Sequence, residues 1–429
     1  MPAPGGVPER PKGTGCKPVG SAYGGSNPPA PIVASYDVAI VGAGPAGSAA
    51  AYRLAEAGAS VLLLDKATFP RDKPCGGGVT GRAARLLPFS IEPVVEDVVD
   101  RLDCGLRYRH RFTRHARAPL AYMTQRRRLD HFLVQKAAEA GAEVREGETA
   151  DARELDARIV IGADGCNGSS AKQLGLAERV VHGVALEANY PHEARFEGAM
   201  VLEIAVIRGG YGWIFPKGDH INVGVGGNGE EGPKLRAELR RMCEEYGIDP
   251  DAASETRGYR LPMRLTRTRL ARGCTAVIGD AAGLVDPLSG DGMYEAFLSA
   301  QLVAEAALDV LAGRAENLDA YQAGVERRIT PLTWAGWGAK RAFERFPRTT
   351  YAVARVPVTF RALEKLLQGD LPEPAAARGA EGGLRRARAR ARERECGGDG
   401  SGGGKRRLRH QLHHRHRWSV AHLSRVKRT

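Results

Sequence analysis

The run Tyr36-Asp37-Val38-Ala39-Ile40-Val41 passes straight into Gly42-Ala43-Gly44-Pro45-Ala46-Gly47, and that junction constrains the fold more than anything else in the 429-residue chain. A short apolar, β-branched run reads as a parallel strand buried on both faces. The glycine turn leads into a helix through Ser48 to Ala57, which Gly58 ends, and Ser60 to Leu64 reads as the next strand. This is a βαβ opening with a G-x-G-x-x-G turn in the context that gives such a turn meaning. Gly42 serves the tight turn, Gly44 lets a diphosphate approach the backbone, and Gly47 lets helix and strand pack closely. The helix N-terminus offers unpaired N–H groups to the phosphates. Asp65 ends the second strand, where it can accept from adenosine ribose hydroxyls and would repel a 2′-phosphate. The alternative is a structural glycine turn beside a surface acid; strand, spacing and acid together favour a dinucleotide.

Two later segments choose between dinucleotides. Ile159 to Ile161 runs into Gly162-Ala163-Asp164-Gly165, and Thr275 to Ile278 runs into Gly279-Asp280-Ala281-Ala282-Gly283 before a long helix from about Gly290. A nicotinamide dinucleotide needs neither strand end. A flavin extended across the sheet needs an acid for its ribityl hydroxyls, and Asp280 is placed for that. The following helix can aim its positive end at the flavin ring. Singly, each acid–glycine pair could be an ordinary strand-ending turn; in this order with the fingerprint they point to FAD.

The rest of the chain divides by composition. The formal net charge is +13, but residues 378–429 hold 16 Lys or Arg against 4 Asp or Glu, which leaves about +1 for everything before them. The basicity belongs to a tail too polar and glycine-rich to bury a core, so specific nucleic-acid binding is not expected; such a tail is suited to weak attraction to an anionic membrane or to RNA. Seven scattered cysteines with no C-x-x-C pair argue against a zinc site or a disulfide framework and for a reducing, cytoplasmic setting. The first 30 residues lack an apolar signal core, and no apolar stretch long enough to span a bilayer is free of charges. Four antiparallel strands are expected at Val180–Tyr190, Met200–Ile207, Tyr211–Phe215 and His220–Val225, the last two joined by Lys217-Gly218-Asp219. Phe69 to Arg85 reads as a loop, and a helix as covering Arg128 to Ala140.

These marks resemble the FAD-dependent oxidoreductases of the p-hydroxybenzoate-hydroxylase-like superfamily, and within it the geranylgeranyl reductase family. The likeness runs from about Tyr36 to Leu308. At superfamily level it rests on the fingerprint, Arg126-x-x-Leu129-Asp130, Gly162-Ala163-Asp164-Gly165 and Gly279-Asp280-Ala281-Ala282-Gly283. Lys73-Pro74-Cys75-Gly76-Gly77-Gly78 resembles the narrower family's Cys-Gly-Gly loop beside the flavin ring. Tyr211-Gly212-Trp213-Ile214-Phe215-Pro216 resembles most of its P-x-x-Y-x-W-x-F-P signature, although Arg208 stands where the leading proline belongs. Only 14 residues separate Val144 from Ile159, where relatives fit a small β-meander, and nothing beyond about Leu371 resembles the family.

The resemblance implies an α/β fold: a Rossmann-like FAD domain from residues 35–85, 120–178 and 262–312, an antiparallel-sheet substrate domain from 86–119 and 179–261, and a helical region at 313–370. Residues 1–34 and 371–429 are expected to be disordered. Cofactor contacts are implied for Gly42, Gly44, Ala46, Gly47, Asp65, Lys66, Cys75, Gly76, Arg126, Asp164, Asp280, Gly290, Gly292 and Met293. Arg126 would meet the phosphates, or be one of three arginines on a solvated helix start. Cys75 would help deliver a proton, or be a turn residue. Tyr211, Trp213 and Phe215 share one strand face; Phe215 reads as core, while the polar tips of Tyr211 and Trp213 suit a cavity wall.

The reaction so implied is reduction of carbon–carbon double bonds in a polyprenyl chain, with Cys75, Tyr211 and Trp213 as catalytic candidates and a prenyl lipid as substrate. The electron donor, NAD(P)H or ferredoxin among others, stays open because no second nucleotide fingerprint is present. An oxygen-using flavin monooxygenase on the same fold is the alternative, and an inactive flavin-binding shell is a third reading.

Overall fold

The computed structural model describes residues 35–265 and 267–370, so the expectations for the two ends of the chain lie outside it. A six-stranded sheet runs in the order β15 (Ala271–Arg272), β16 (Thr275–Val277), β9 (Ala157–Gly162), β1 (Tyr36–Val41), β2 (Val61–Asp65) and β8 (Glu143–Glu146). From β16 to β8 every pairing is parallel, and only the short β15 runs antiparallel. β1 and β9 are buried on both faces at their centres, as their unbroken Val/Ile/Ala runs require. Helix α1 (Pro45–Glu56) packs on one face together with α6 (Met293–Leu311) and α3 (Arg126–Glu139). α1 buries Ala46, Gly47, Ser48 and four further alanines, small side chains that allow close approach.

A second sheet of seven strands runs β14 (Glu255–Arg264), β10 (Val180–Pro191), β13 (His220–Asn228), β12 (Tyr211–Pro216), β11 (Ala199–Ile204), β5 (Arg101–Leu106) and β6 (Arg109–His115). A small sheet of β3 (Gly78–Thr80), β7 (Ala121–Thr124) and β4 (Val95–Val99) links the two. The turn Lys217-Gly218-Asp219 joins β12 to β13, with Gly218 at φ +77°. α5 (Leu235–Glu245) covers the outer face of the seven-stranded sheet through Leu235, Leu239 and Met242. Four helices follow α6: α7 (Asp319–Arg328), α8 (Thr330–Arg345), α9 (Pro347–Ala354) and α10 (Pro357–Gln368).

Three local readings need correction. The first helix begins at Pro45, not Ser48, because proline at the first helical position fits the fixed φ and needs no N–H partner. Phe69–Arg85 is not wholly loop: it contains β3 and the short helix α2 (Gly81–Ala84). β14 and the β5–β6 hairpin escaped the sequence pattern because both outer strands are sheet edges. β14 carries Arg257, Arg260 and Pro262, and β6 reads Arg-His-Arg-Phe-Thr-Arg-His, charges and a proline that only an edge tolerates.

Candidate active site

A cavity of about 980 Å³ opens at the carboxyl ends of β1, β2 and β9 and extends beneath the seven-stranded sheet. The fingerprint glycines divide into two kinds along its wall. A Cβ on Gly42, which sits at φ +106°, would come within 2.6 Å of the Asp164 amide nitrogen, and a Cβ on Gly47 would overlap the Gly42 carbonyl. Those two glycines serve the protein's own packing. Gly44 is different: a Cβ there would meet no protein atom nearer than Arg71 Nη2 at 3.8 Å. Its bareness leaves space in the cavity directly before α1, where Ser48 N to Gly44 O is the first helical bond at 2.9 Å. The N–H groups of Ala46 and Gly47 precede that bond and suit a diphosphate.

Asp65 lines the cavity with its carboxylate already accepting from Ala43 N at 2.8 Å and Ala67 N at 2.9 Å, so it also shapes the fingerprint loop. Lys66 stands exposed at the cavity edge. Asp164 accepts from Ser169 N and Ser170 N at 2.7 and 2.9 Å and from the Ser170 hydroxyl; both its oxygens hold the turn into α4 (Ser170–Gln173). Arg126 is not on a solvated helix start. It is buried, with Nε and Nη2 on the two oxygens of Asp130 at 2.6 and 2.7 Å, and Arg71 Nη1 adds a further contact to Asp130 at 3.0 Å. Asp280 borders the cavity, accepting from Tyr259 Oη at 2.9 Å with Lys73 Nζ 3.5 Å away. Gly279, at φ +57°, tucks against Ala46, where a Cβ would come within 2.9 Å of the alanine methyl. The Gly279-Asp280 pair is thus fastened to the fingerprint helix. Gly290, Gly292 and Met293 line the same cavity at the start of α6, and Asp291 Oδ1 accepts from Met293 N at 2.8 Å. Burial pushes the Asp291 carboxyl upward, against the pull of Arg82.

The Cys-Gly-Gly loop meets the aromatic strand directly. A Cβ on Gly76 would come within 2.9 Å of the Phe215 ring and 3.6 Å of Trp213 Nε1, so only glycine lets the loop lie on that face. Cys75 lines the cavity, with Gly77 N donating to its Sγ at 3.3 Å. Two charged residues that sequence reasoning did not single out hold this loop. Glu187 of β10 accepts from Cys75 N at 2.6 Å. Lys217, buried just after β12, donates to Thr124 O at 2.6 Å and Cys75 O at 3.3 Å. Burial raises the Glu187 carboxyl above its ordinary value, partly offset by Lys217, and burial lowers the Lys217 ammonium. Lys217 follows Pro216 in the signature, which was a visible signal; Glu187 sits within an ordinary-looking strand and gave none.

Tyr211, Trp213 and Phe215 do share one face: successive ring centroids are 6.0 and 6.2 Å apart. Trp213 Nε1 donates to Asn222 Oδ1 at 2.8 Å and the Tyr211 hydroxyl donates to Ser289 O, so both polar tips are satisfied while the rings border the cavity. Gly224 lies opposite Trp213 across β13, where a Cβ would strike the indole. Leu202 and Ile204 pair with Trp213 and Tyr211 across β11, and with Met200, Phe343 and Leu367 they give this end of the cavity an apolar wall.

Residues 37–117 match the family model described as FAD dependent oxidoreductase, and residues 111–333 match the one described as FAD binding domain. Digeranylgeranylglycerophospholipid reductase 2 of Methanopyrus kandleri is 31% identical over 318 residues, covering 64% of this chain and 78% of that protein. Menaquinone reductase of Mycobacterium tuberculosis is 31% identical over 322 residues, covering 63% and 76%. Among solved structures, a geranylgeranyl bacteriochlorophyll reductase-like protein from Thermoplasma acidophilum superposes with a TM-score of 0.64 at 21% identity, covering 82% of this chain and 95% of its own. The flavin-dependent brominase Bmp2 superposes with a TM-score of 0.63 at 19% identity, covering 84% and 99%. At those identities the superpositions establish the fold, and the sequence matches establish the cofactor as FAD. The chain belongs to the geranylgeranyl reductase family of FAD-dependent oxidoreductases.

Proposed function

We propose that the protein reduces carbon–carbon double bonds in the polyprenyl chain of a lipid, quinone or pigment, with geranylgeranyl-type chains the first candidates. The observation that carries this reading is the contact of Gly76 with Phe215 and Trp213, which sets the Cys75 loop beside an aromatic face and an apolar cavity end. The likeness to a digeranylgeranylglycerophospholipid reductase supports a polyprenyl substrate. Reduced FAD, when bound, supplies the hydride. An isolated trisubstituted alkene has no carbonyl to polarise, so positive charge develops at its tertiary carbon as reduction proceeds. Trp213 and Tyr211 offer ring faces to that charge, worth about 0.5 to 2 kcal/mol for each well-placed ring. Cys75 carries a proton at Sγ for the neighbouring carbon. Lys217 donates to the Cys75 carbonyl at 3.3 Å, and Arg126 borders the same cavity. Glu187 and Lys217 act as positioning residues that hold the Cys75 backbone.

The fold likeness to pqsL of Pseudomonas aeruginosa, a probable FAD-dependent monooxygenase, at a TM-score of 0.57 and 20% identity, supports a second reading, an oxygen-dependent hydroxylase. Oxygen separates the two. Dithionite-reduced protein mixed anaerobically with a geranylgeranyl lipid should regain the oxidised flavin spectrum. Reoxidation only after air is admitted, with an oxygen atom incorporated into product, would favour the hydroxylase.

A further inference from the structure

We propose that α8–α10 form a bilayer-docking surface that sets the apolar end of the cavity against an anionic lipid leaflet. α10 turns Phe360, Glu364 and Gln368 inward, where Glu364 accepts from Arg117 N at 2.6 Å and Gln368 donates to Ala118 O at 3.2 Å. At 100° per residue, Val358, Ala362 and Leu366 then fill one outward arc. Val358 is 71% exposed, far more than a valine needed only for packing. The helix junctions extend this surface with Phe346, 58% exposed, and with Val353 and Val356. Single exposed apolar residues are ordinary, but a row of them along consecutive short helices is not.

Charge identifies the occupant. Exposed Arg345, Arg348, Arg355, Arg361 and Lys365 stand among these apolar side chains. The acids of the same stretch are engaged: Glu364 is buried on Arg117 N, Asp370 pairs with Arg85 at 2.8 Å, and Glu344 accepts from Asn228 at 3.1 Å. Arginine and lysine flanking an apolar helical arc is the pattern of an element lying in a lipid interface, where apolar burial and anionic headgroups act together. The same helices wall the cavity from inside through Phe343, Thr350, Leu363 and Leu367, so a prenyl chain leaving a bilayer docked here would enter beside them. That last step rests on the proposed lipid substrate; the docking surface itself does not.

The test is flotation of the full chain, loaded with FAD, with phosphatidylcholine vesicles with and without about 30% phosphatidylglycerol. The expected result is co-flotation with the anionic vesicles. A Val358→Asp/Leu366→Asp variant should bind about tenfold more weakly, with unchanged flavin absorbance and elution volume. An Arg361→Glu/Lys365→Glu variant should lose its preference for anionic vesicles. The proposal is overturned if the parent does not float, or if either variant floats like the parent, as when residues 371–429 alone carry binding. It is also overturned if the aspartate variant splits an oligomer while still floating. Vesicle binding is read without turnover, so failure of the reductase reading leaves this outcome untouched.

Discussion

The backbone N–H of Cys75 donates to Glu187 Oε1 at 2.6 Å, which ties the Cys75 loop to β10 of the seven-stranded sheet. Lys217 grips the same loop from the turn after β12. Glu187→Gln keeps an acceptor at this position and Glu187→Ala removes it. Alanine should therefore destabilise the protein by about 2 kcal/mol, the cost of stranding a buried N–H that had an acidic partner, and should lower turnover. Glutamine should recover most of the turnover. Thermal melting and rate assays on both variants check this; an alanine variant as active as the parent removes Glu187 from the loop's support.

The same pair has a pH signature. Burial raises the Glu187 carboxyl, so its favourable contribution is present below the ordinary glutamate value and is lost as pH rises through the raised folded value. Burial lowers the Lys217 ammonium, so above its depressed folded value the unfolded chain binds the extra proton and stability gains with pH up to the ordinary lysine value. Glu187→Gln should thus gain in melting temperature relative to the parent as pH increases from about 4.5 toward neutrality. A constant difference across that window contradicts the assignment.

Gly44 and Gly47 predict opposite phenotypes. Gly44→Val places its side chain in open cavity, so it should fold, melt near the parent apoprotein and lack FAD. Gly47→Ala overlaps the Gly42 carbonyl, so it should lose stability whether or not FAD is present. Flavin absorbance and apoprotein melting distinguish them, and a yellow, fully loaded Gly44→Val protein would refute the diphosphate site.

Trp213→Leu keeps an apolar lining but removes the ring. Reduction should slow on the order of tenfold, the effect of about 1.4 kcal/mol of missing transition-state stabilisation, with FAD content unchanged. Trp213→Phe should restore part of the rate. Equal rates in parent and leucine variant would move the aromatic wall out of the mechanism.

The sequence made the FAD side legible because its constraints are local. A strand, a glycine turn and an acid at fixed spacing leave little freedom, and Gly47 meets the Gly42 carbonyl within that unit, while Gly42 lies against Ala163 and Asp164 at the end of β9. The aromatic face was legible from the two-residue period of Tyr211, Trp213 and Phe215. Glu187 was not, because its role depends on a loop 112 residues earlier reaching β10, a non-local contact with no period or motif; Lys217 showed only as the residue after the signature's Pro216. Arg126 read either as a phosphate contact or as one of three arginines on a solvated helix start; tertiary packing rules out the solvated start by pairing it with Asp130 in the interior. The charged edges β6 and β14 hid for the opposite reason, since edge strands carry the residues that sheet interiors exclude.

The most direct measurement is anaerobic incubation of the dithionite-reduced, FAD-loaded protein with a geranylgeranyl lipid, followed by mass analysis of the recovered lipid. The account predicts product heavier by two hydrogens for each double bond reduced, formed without oxygen and more slowly by Trp213→Leu. Unchanged lipid under anaerobic conditions, with a product heavier by one oxygen once air is admitted, would contradict it.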